Sequence, residues 1–342
     1  MPNCQLEKNS TVLSESKIKA PYLLGRLNEL IAFLNQMIMG QEELTNRLII
    51  ALLADGHLLV EGAPGLAKTR AIKVLSRGIE SNFHRVQFTP DLLPADLTGT
   101  EIYRMETGHF EFQKGPLFHN IILADEINRA PAKVQSALLE AMAERQITVG
   151  KTTYELPRLF LVMATQNPLE QEGTYPLPEA QLDRFIMKVN VGYPNAQKEL
   201  EILNLVLEEA RNKATHKHPL NPLLTQEDIF EAREAVLDVY MAKNIQHYIV
   251  QIVLATREPA RYGPQFANWI EFGASPRATV SLARSAKALA FLQGVDFVGP
   301  DHVQALAKDV LRHRIILSYR AEAEGITADQ CIDKLIARIP VP

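Results

Sequence analysis

The feature that most constrains this chain is the octapeptide Gly62-Ala63-Pro64-Gly65-Leu66-Ala67-Lys68-Thr69, set between the apolar run His57 to Val60 and a helical stretch from Thr69 to Arg77. A glycine-rich turn that leaves a strand and opens a helix makes backbone N–H groups converge on anion oxygens at the positive end of a helix dipole. The spacing is a near match to GxxxxGK[ST], in which the lysine neutralises β- and γ-phosphate charge and the hydroxyl holds Mg²⁺. Lys68 and Thr69 fill those positions. The glycine that normally precedes the lysine is Ala67, so this position is expected to keep a conformation open to an L-residue, with Gly65 as the flexible point. A plain Gly-Pro turn would leave Lys68-Thr69 at this spacing unexplained.

Four further short apolar runs, near Phe83 to Phe88, Ile121 to Ala124, Leu159 to Ala164 and Phe185 to Val191, alternate with helical or irregular segments, as buried parallel strands do. The alternation predicts an α/β layered domain with ligands beyond the carboxyl ends of its strands. Upstream, Leu23, Leu24, Leu27, Leu30, Ile31, Leu34 and Ile38 recur at helical spacing up to Gly40, and a second helix is expected from about Gln41 to Ala54. Thr100 to Gln113 and Ile147 to Leu156 have the turn residues and β-rich arms of hairpins. From about Asn195 onward helical periodicity dominates, which predicts an all-helical second domain. Its boundary is marked by Pro194 and by the stretch His216 to Thr225. The expected division is a polar extension over 1–21, a nucleotide-binding core over 22–194 and a helical lid over 195–342. A chain of 342 residues exceeds a single average domain of roughly 100 to 200 residues, which fits two.

Composition excludes several classes. Lys plus Arg total 36 against 40 Asp plus Glu, a formal charge of −4, so no global positive field draws the chain to nucleic acid or anionic lipid. Cys4 and Cys331 lie near opposite ends without ligand-spaced companions, which argues against a disulfide framework or a zinc site and for a reducing compartment. The longest apolar run, Leu48 to Ala54, falls far short of the ~20 residues of a membrane span. A cytoplasmic protein without a membrane segment is expected.

Asn120 to Ala124 reads as a strand running into Asp125-Glu126. Asp125 would meet the metal, through a metal-bound water if not directly, and Glu126 would polarise the attacking water as general base. The same pair would also complement the dipole of the helix beginning near Pro131. Leu159 to Ala164 ends in Thr165-Gln166-Asn167-Pro168, which places Asn167 to orient the lytic water, although an Asn before Pro is also an ordinary turn former. Two arginines stand out, Arg184 in Leu182-Asp183-Arg184-Phe185 and Arg277 in Ser275-Pro276-Arg277. A surface arginine usually forms an ion pair worth ~0 to 1 kcal/mol, whereas one delivered to a γ-phosphate is worth ~10³ to 10⁵ in rate, and geometry separates the two. His313, Arg314 and Trp269 read as lid packing, surface or interface.

Together these stretches resemble the AAA+ ATPases. The wording of Gly65-Leu66-Ala67-Lys68-Thr69, Asp125-Glu126-Ile127-Asn128-Arg129-Ala130 and Gly273-Ala274-Ser275-Pro276-Arg277 is most similar to the MoxR family, over about residues 22–335. Ala67 fits the MoxR pattern. The resemblance implies a core with a five-stranded parallel sheet, a helical lid, and a ring, usually a hexamer, with ATP and Mg²⁺ bound between subunits. It makes residues 62–69 the phosphate loop, and Thr69 and Asp125 the metal-holding pair. Glu126 becomes the catalytic base, Asn167 sensor 1, Arg277 sensor 2, and Arg184 an arginine finger for the neighbouring subunit. Thr100 to Gln113 then corresponds to the hairpin insert of this clade and Ile147 to Leu156 to its second hairpin. Family membership further implies chaperone-like remodelling or maturation of client proteins, often with partners bearing a von Willebrand A domain. Two other readings stay open: a nucleotide-dependent assembly switch with little hydrolysis, and a nucleic-acid motor, which the acidic balance disfavours.

Overall fold

The computed structural model of the protein describes residues 4–106, 108–168, 173–211 and 221–342. The chain enters through α1 (Cys4–Met37) and α2 (Glu42–Leu53), followed by β1 (Leu58–Gly62), α3 (Lys68–Gly78), β2 (Phe83–Gln87) and α4 (Pro94–Thr98). A hairpin of β3 (Gly99–Arg104) and β4 (His109–Lys114) precedes β5 (Ile121–Asp125) and α5 (Ala132–Glu144). A second hairpin, β6 (Gln146–Val149) and β7 (Thr152–Glu155), leads to β8 (Leu161–Gln166), α6 (Glu179–Leu182) and β9 (Met187–Val191). Both hairpins are where sequence places them, although the turn residue Thr107 lies outside the described residues, as does 216–220 of the expected boundary stretch.

The central sheet is parallel and five-stranded in the order β2-β5-β8-β1-β9. Its strands alternate between two cores. Leu58, Val60, Ile121, Leu123, Leu161 and Met163 point to one face, while Leu59, Ile122, Ala124, Val162 and Ala164 point to the other. Continuous apolar runs are what a strand needs when helices cover both sides, and each fully buried leucine or isoleucine contributes about 1.5–3 kcal/mol. Val134, Leu138 and Met142 of α5 cover the second face.

The remaining elements are α7 (Ala196–Arg211), α8 (Gln226–Asp238), α9 (Lys243–Arg257), α10 (Pro264–Trp269), β10 (Ile270–Phe272), α11 (Pro276–Leu292), α12 (Pro300–Leu311), β11 (Ile316–Leu317), α13 (Tyr319–Ala323) and α14 (Ala328–Ile336). The region is helical but not purely so, because β10 and β11 pair as a short antiparallel ribbon. Its apolar residues, among them Ile252, Leu282, Leu306 and Ile332, belong to the same core as the first sheet face. The first helix also departs from expectation. It begins at Cys4 rather than near Leu23, through a stretch rich in helix-forming Gln, Leu, Glu and Lys, and runs on past Pro21. Its buried stripe Leu23, Leu27, Leu30, Leu34 and Ile38 packs against α2, α3, α8 and α11. No helix among the described residues is long and apolar enough to cross a membrane.

Candidate functional site

The order β5-β8-β1 aligns three carboxyl ends, so that Gly62, Asp125 and Gln166 finish side by side. Gly62 lies against β9, where a Cβ would sit 2.7 Å from the Val191 carbonyl oxygen, so glycine is required for the chain to leave the sheet here. Gly62 and Ala63 are buried as the root of the loop, and Pro64, Gly65, Leu66, Ala67, Lys68 and Thr69 line a cavity of about 380 Å³ together with Arg70, Arg85, Asp125, Glu126 and Asn167. Gly65 takes φ +85°, as a flexible point should. Ala67 corrects expectation: it adopts φ 57°, ψ 13°, the left-handed region that L-residues visit at a cost of about 1–2 kcal/mol. The chain must turn there to begin α3 at Lys68, and the Ala67 carbonyl accepts from the Ala71 N–H at 2.9 Å as the first helical bond. Lys68 Nζ donates to the Gly62 carbonyl at 2.5 Å and reaches the Gln166 carbonyl at 3.5 Å, which holds it across the mouth of the loop.

The two adjacent carboxylates diverge. Asp125 is 8% exposed, accepts from Thr165 Oγ1 at 2.6 Å on Oδ1, and from Arg85 Nη2 at 2.7 Å on Oδ2. Glu126 is left-handed at φ 56°, ψ 51°, a conformation that turns its side chain away from that of Asp125. Its Oε2 accepts from Gln87 Nε2 at 2.7 Å and from Arg129 Nη1 at 3.1 Å, while its backbone N–H donates to Thr165 Oγ1 at 2.9 Å. Thr165 therefore braces both acids from the neighbouring strand. Asn167, 5% exposed, closes the same cavity from the end of β8.

Sequence reasoning missed Arg85, Gln87 and Thr165. The β2–β5 register, with Gln87 opposite Asp125, is what delivers the first two, and no motif in the chain signals it. It also missed a second, apolar cavity of about 270 Å³ that shares Gly65, Leu66, Ala67 and Arg70 with the first and is walled by Met37, Ile38, Ile202 and Val206. Its size and lining suit a flat aromatic ring next to the phosphates.

Arg184 and Arg277 lie elsewhere. They share a cavity of about 400 Å³ with Asp55, His57, Met142, Arg145, Asp183, Ser281 and Arg284. Asp55 and His57 precede β1, and Arg184 precedes the parallel strand β9, so this cavity is at the amino ends of the strands. The five residues of β1 separate it from the phosphate loop by about 16 Å. The structure thus gathers the loop, both carboxylates and Asn167 in one place and the two arginines in another. Arg184 Nη1 donates to the Leu139 carbonyl at 2.5 Å. Burial would raise the Asp55 carboxyl, but the Arg233 and Arg145 guanidiniums, each 2.7 Å from Oδ1, outweigh it and hold the group below its usual range. Burial, reinforced by Arg145, brings His57 down to about 4.

Comparison with known proteins agrees with this fold. The family model of ATPases associated with various cellular activities (AAA) matches residues 57–187, and that of the AAA lid domain matches residues 267–335. Chaperone MoxR1 of Mycobacterium tuberculosis is 43% identical over 92% of this chain and 82% of its own length. YeaC of Bacillus subtilis is 42% identical over 92% of this chain and 95% of its own. A crystal structure of a candidate ATPase from Cytophaga hutchinsonii superimposes with a TM-score of 0.89 at 46% identity, covering 96% of this chain and 99% of that one. With relatives of this kind matching along most of its length, and the AAA model spanning the stretch that holds the phosphate loop and the paired carboxylates, the chain belongs to the MoxR family of AAA+ ATPases.

Proposed function

We propose that the protein binds ATP with Mg²⁺ at the phosphate loop, hydrolyses it within a ring, usually a hexamer in this family, and uses the cycle to remodel or mature client proteins in the cytoplasm. The observation that carries this reading is the split between the two groups of residues. The phosphate cavity holds the loop, Asp125, Glu126 and Asn167 but neither candidate arginine, and Arg184 lies a strand's length from the loop of its own subunit. A site assembled from both groups needs two copies of the chain, one offering the carboxyl ends of its strands and the next its amino ends. Arg277, on the same cavity as Arg184, acts in that reading toward the neighbour as well.

The Thr69 hydroxyl and the Asp125 carboxylate line one cavity as hard oxygen donors, which fits Mg²⁺, and the ion would supply neutralisation of the phosphate oxygens. Lys68 binds the β- and γ-phosphates, residues 65–67 wrap them with backbone N–H groups, and the apolar cavity beside Leu66 takes the base. Glu126, held apart from Asp125 by its left-handed backbone, polarises the attacking water, and Asn167 orients it. Residues 22–194 serve as the core and 195–342 as the lid, a division that contains both family matches. The name of Chaperone MoxR1 supports the chaperone-like reading. Clients with a von Willebrand A domain are the first to try.

Turnover per subunit, measured with Mg²⁺ over a range of protein concentrations, tests this reading. A cooperative rise with concentration is expected, Lys68→Ala should lose nucleotide binding, and Glu126→Gln should bind ATP without turning it over. Tight ATP binding by Lys68→Ala would overturn the site assignment. Binding without turnover in the wild type would favour the assembly switch, and DNA-stimulated turnover the motor.

A further inference from the structure

The segment that carries Arg184 is tied to the sheet only at its end, where the Ile186 N–H donates to the His57 carbonyl at 2.9 Å. It lies before the start of β9, and the carbonyls of Asp183, Phe185 and Ile186 all accept from one buried lid side chain, that of Arg314. Arg314 is 7% exposed and follows α12. Its Nε donates to Asp183 Oδ1 at 2.7 Å. Its Nη2 donates to the Phe185 carbonyl at 2.6 Å, to the Asp183 carbonyl at 3.2 Å and to Ser281 Oγ at 3.2 Å, and its Nη1 to the carbonyls of Ile186 at 3.2 Å and Val310. The neighbouring His313 adds a contact from Nε2 to the Phe185 carbonyl at 3.1 Å. A planar guanidinium with its donors engaged at fixed angles locks its partners more tightly than a lysine ammonium would.

The other oxygen of Asp183 faces the helix that carries Arg277. Ser275 Oγ donates to Asp183 Oδ2 at 2.7 Å, and the same Ser275 Oγ is the cap of α11, accepting from the Arg277 N–H at 3.1 Å. One carboxylate therefore joins the residue next to Arg184 with the helix start that presents Arg277, across sequence separations of 92 and 131 residues. Apolar packing would serve if the only need were to close the lid on the core. A carboxylate shared between a buried guanidinium and a capping hydroxyl fixes angles as well as contact.

We propose that Asp183 is a positioning residue which, through Arg314 and Ser275, sets Arg184 and Arg277 as one unit aimed at the nucleotide of the neighbouring subunit. The proposal rests on the reading that these arginines act between subunits. Asp183 touches no part of the subunit's own phosphate cavity, so its loss should injure the arginine-donating role of a subunit and spare its nucleotide-holding role.

The test uses full-length Asp183→Asn, alone and mixed with Lys68→Ala, a subunit that cannot hold ATP but still donates arginines. Alone, Asp183→Asn should bind a fluorescent ATP analogue within about twofold of wild type, while kcat falls about 10- to 100-fold, the loss expected when transition-state charge is left partly unsupported. In a 1:1 mixture turnover should recover toward roughly a quarter of wild type, the share of interfaces that pair an intact holder with an intact donor in a randomly mixed ring. Arg184→Ala mixed with Lys68→Ala is the reference. If that pair recovers and Asp183→Asn does not, the positioning role is refuted; if neither recovers, the reading between subunits fails first. Loss of ATP binding by Asp183→Asn would also refute it. Should that variant fail to fold, Ser275→Ala decides, because it leaves the buried Asp183–Arg314 pair intact: a fall in kcat with unchanged binding, rescued by Lys68→Ala, is expected, and unchanged kcat overturns the proposal.

Discussion

Acidification should weaken this fold through His57. The imidazole is 5% exposed at the amino end of β1, edge-on to Phe160 with ring centroids 5.6 Å apart. The Val162 N–H donates to Nδ1 at 3.1 Å, and Nε2 faces the Met142 carbonyl at 3.3 Å, so the neutral ring with its proton on Nε2 satisfies both neighbours. A second proton on Nδ1 would confront the Val162 N–H. Burial, followed by the charge of Arg145, lowers the group from 6.5 to about 4. Below pH 6.5 the unfolded chain takes up a proton that the folded chain refuses until about pH 4, so stability is full above 6.5, falls across that interval and levels off below it. At about 1.4 kcal/mol per unit the interval is worth about 3 kcal/mol. His313, buried and also held well below its ordinary value, acts in the same direction, so the assay must isolate His57. Urea unfolding of wild type and His57→Leu between pH 7.5 and 5 does this. The variant should be less stable at pH 7.5 by about 1–3 kcal/mol, because the Val162 N–H loses its acceptor. Its loss on acidification should nonetheless be shallower, by up to one proton's worth, about 1.4 kcal/mol per pH unit. Equal slopes, or an NMR titration of His57 with a midpoint near 6.5, would refute the reasoning.

Three more outcomes follow from the geometry. Thr165→Val removes the hydroxyl that donates to Asp125 at 2.6 Å and accepts from the Glu126 N–H at 2.9 Å, so kcat for ATP should fall about 10- to 100-fold; an unchanged steady-state rate would mean the acids are braced by other groups. Gly62→Ala brings a Cβ to 2.7 Å from the Val191 carbonyl, at a cost of about 1–3 kcal/mol, and should weaken nucleotide binding in a fluorescence titration. Undiminished affinity would show that β1 and β9 separate without moving the loop. Asp309→Ala leaves Arg47 and Arg312, which pair with it at 2.6 and 3.0 Å and have side chains 14% and 9% exposed, without their shared carboxylate between α2 and α12. Because Arg312 keeps Asp329 and Arg47 keeps Glu43, the urea midpoint should report a loss of about 1–3 kcal/mol, and no measurable loss would contradict the assignment of a buried pair.

The legible parts of the fold are those in which physics acts over a few neighbouring residues. The runs ending at Gly62, Asp125 and Gln166 are apolar at successive positions because both sheet faces are covered, and that pattern marks a buried parallel strand wherever it occurs. The loop motif is local for the same reason, since phosphate wrapping needs consecutive N–H groups. Ala67 shows where locality ends: its side chain suggests an ordinary backbone, yet the demand to start α3 at Lys68 imposes φ 57°. Arg314 is the extreme case. Alone in the sequence it is an arginine following a helix, and its donors are used by the Asp183 carboxylate and by carbonyls more than a hundred residues upstream, a relation set by lid packing. Half of the placement of Arg184 was within reach of sequence reasoning: a residue before a strand parallel to β1 must lie at the end of the sheet opposite the phosphate loop, so it cannot serve the nucleotide of its own chain without crossing the sheet. The direction of β9 therefore argues for action on a second subunit before any interface is seen, and the lid, through Asp183, brings Arg277 to the same side.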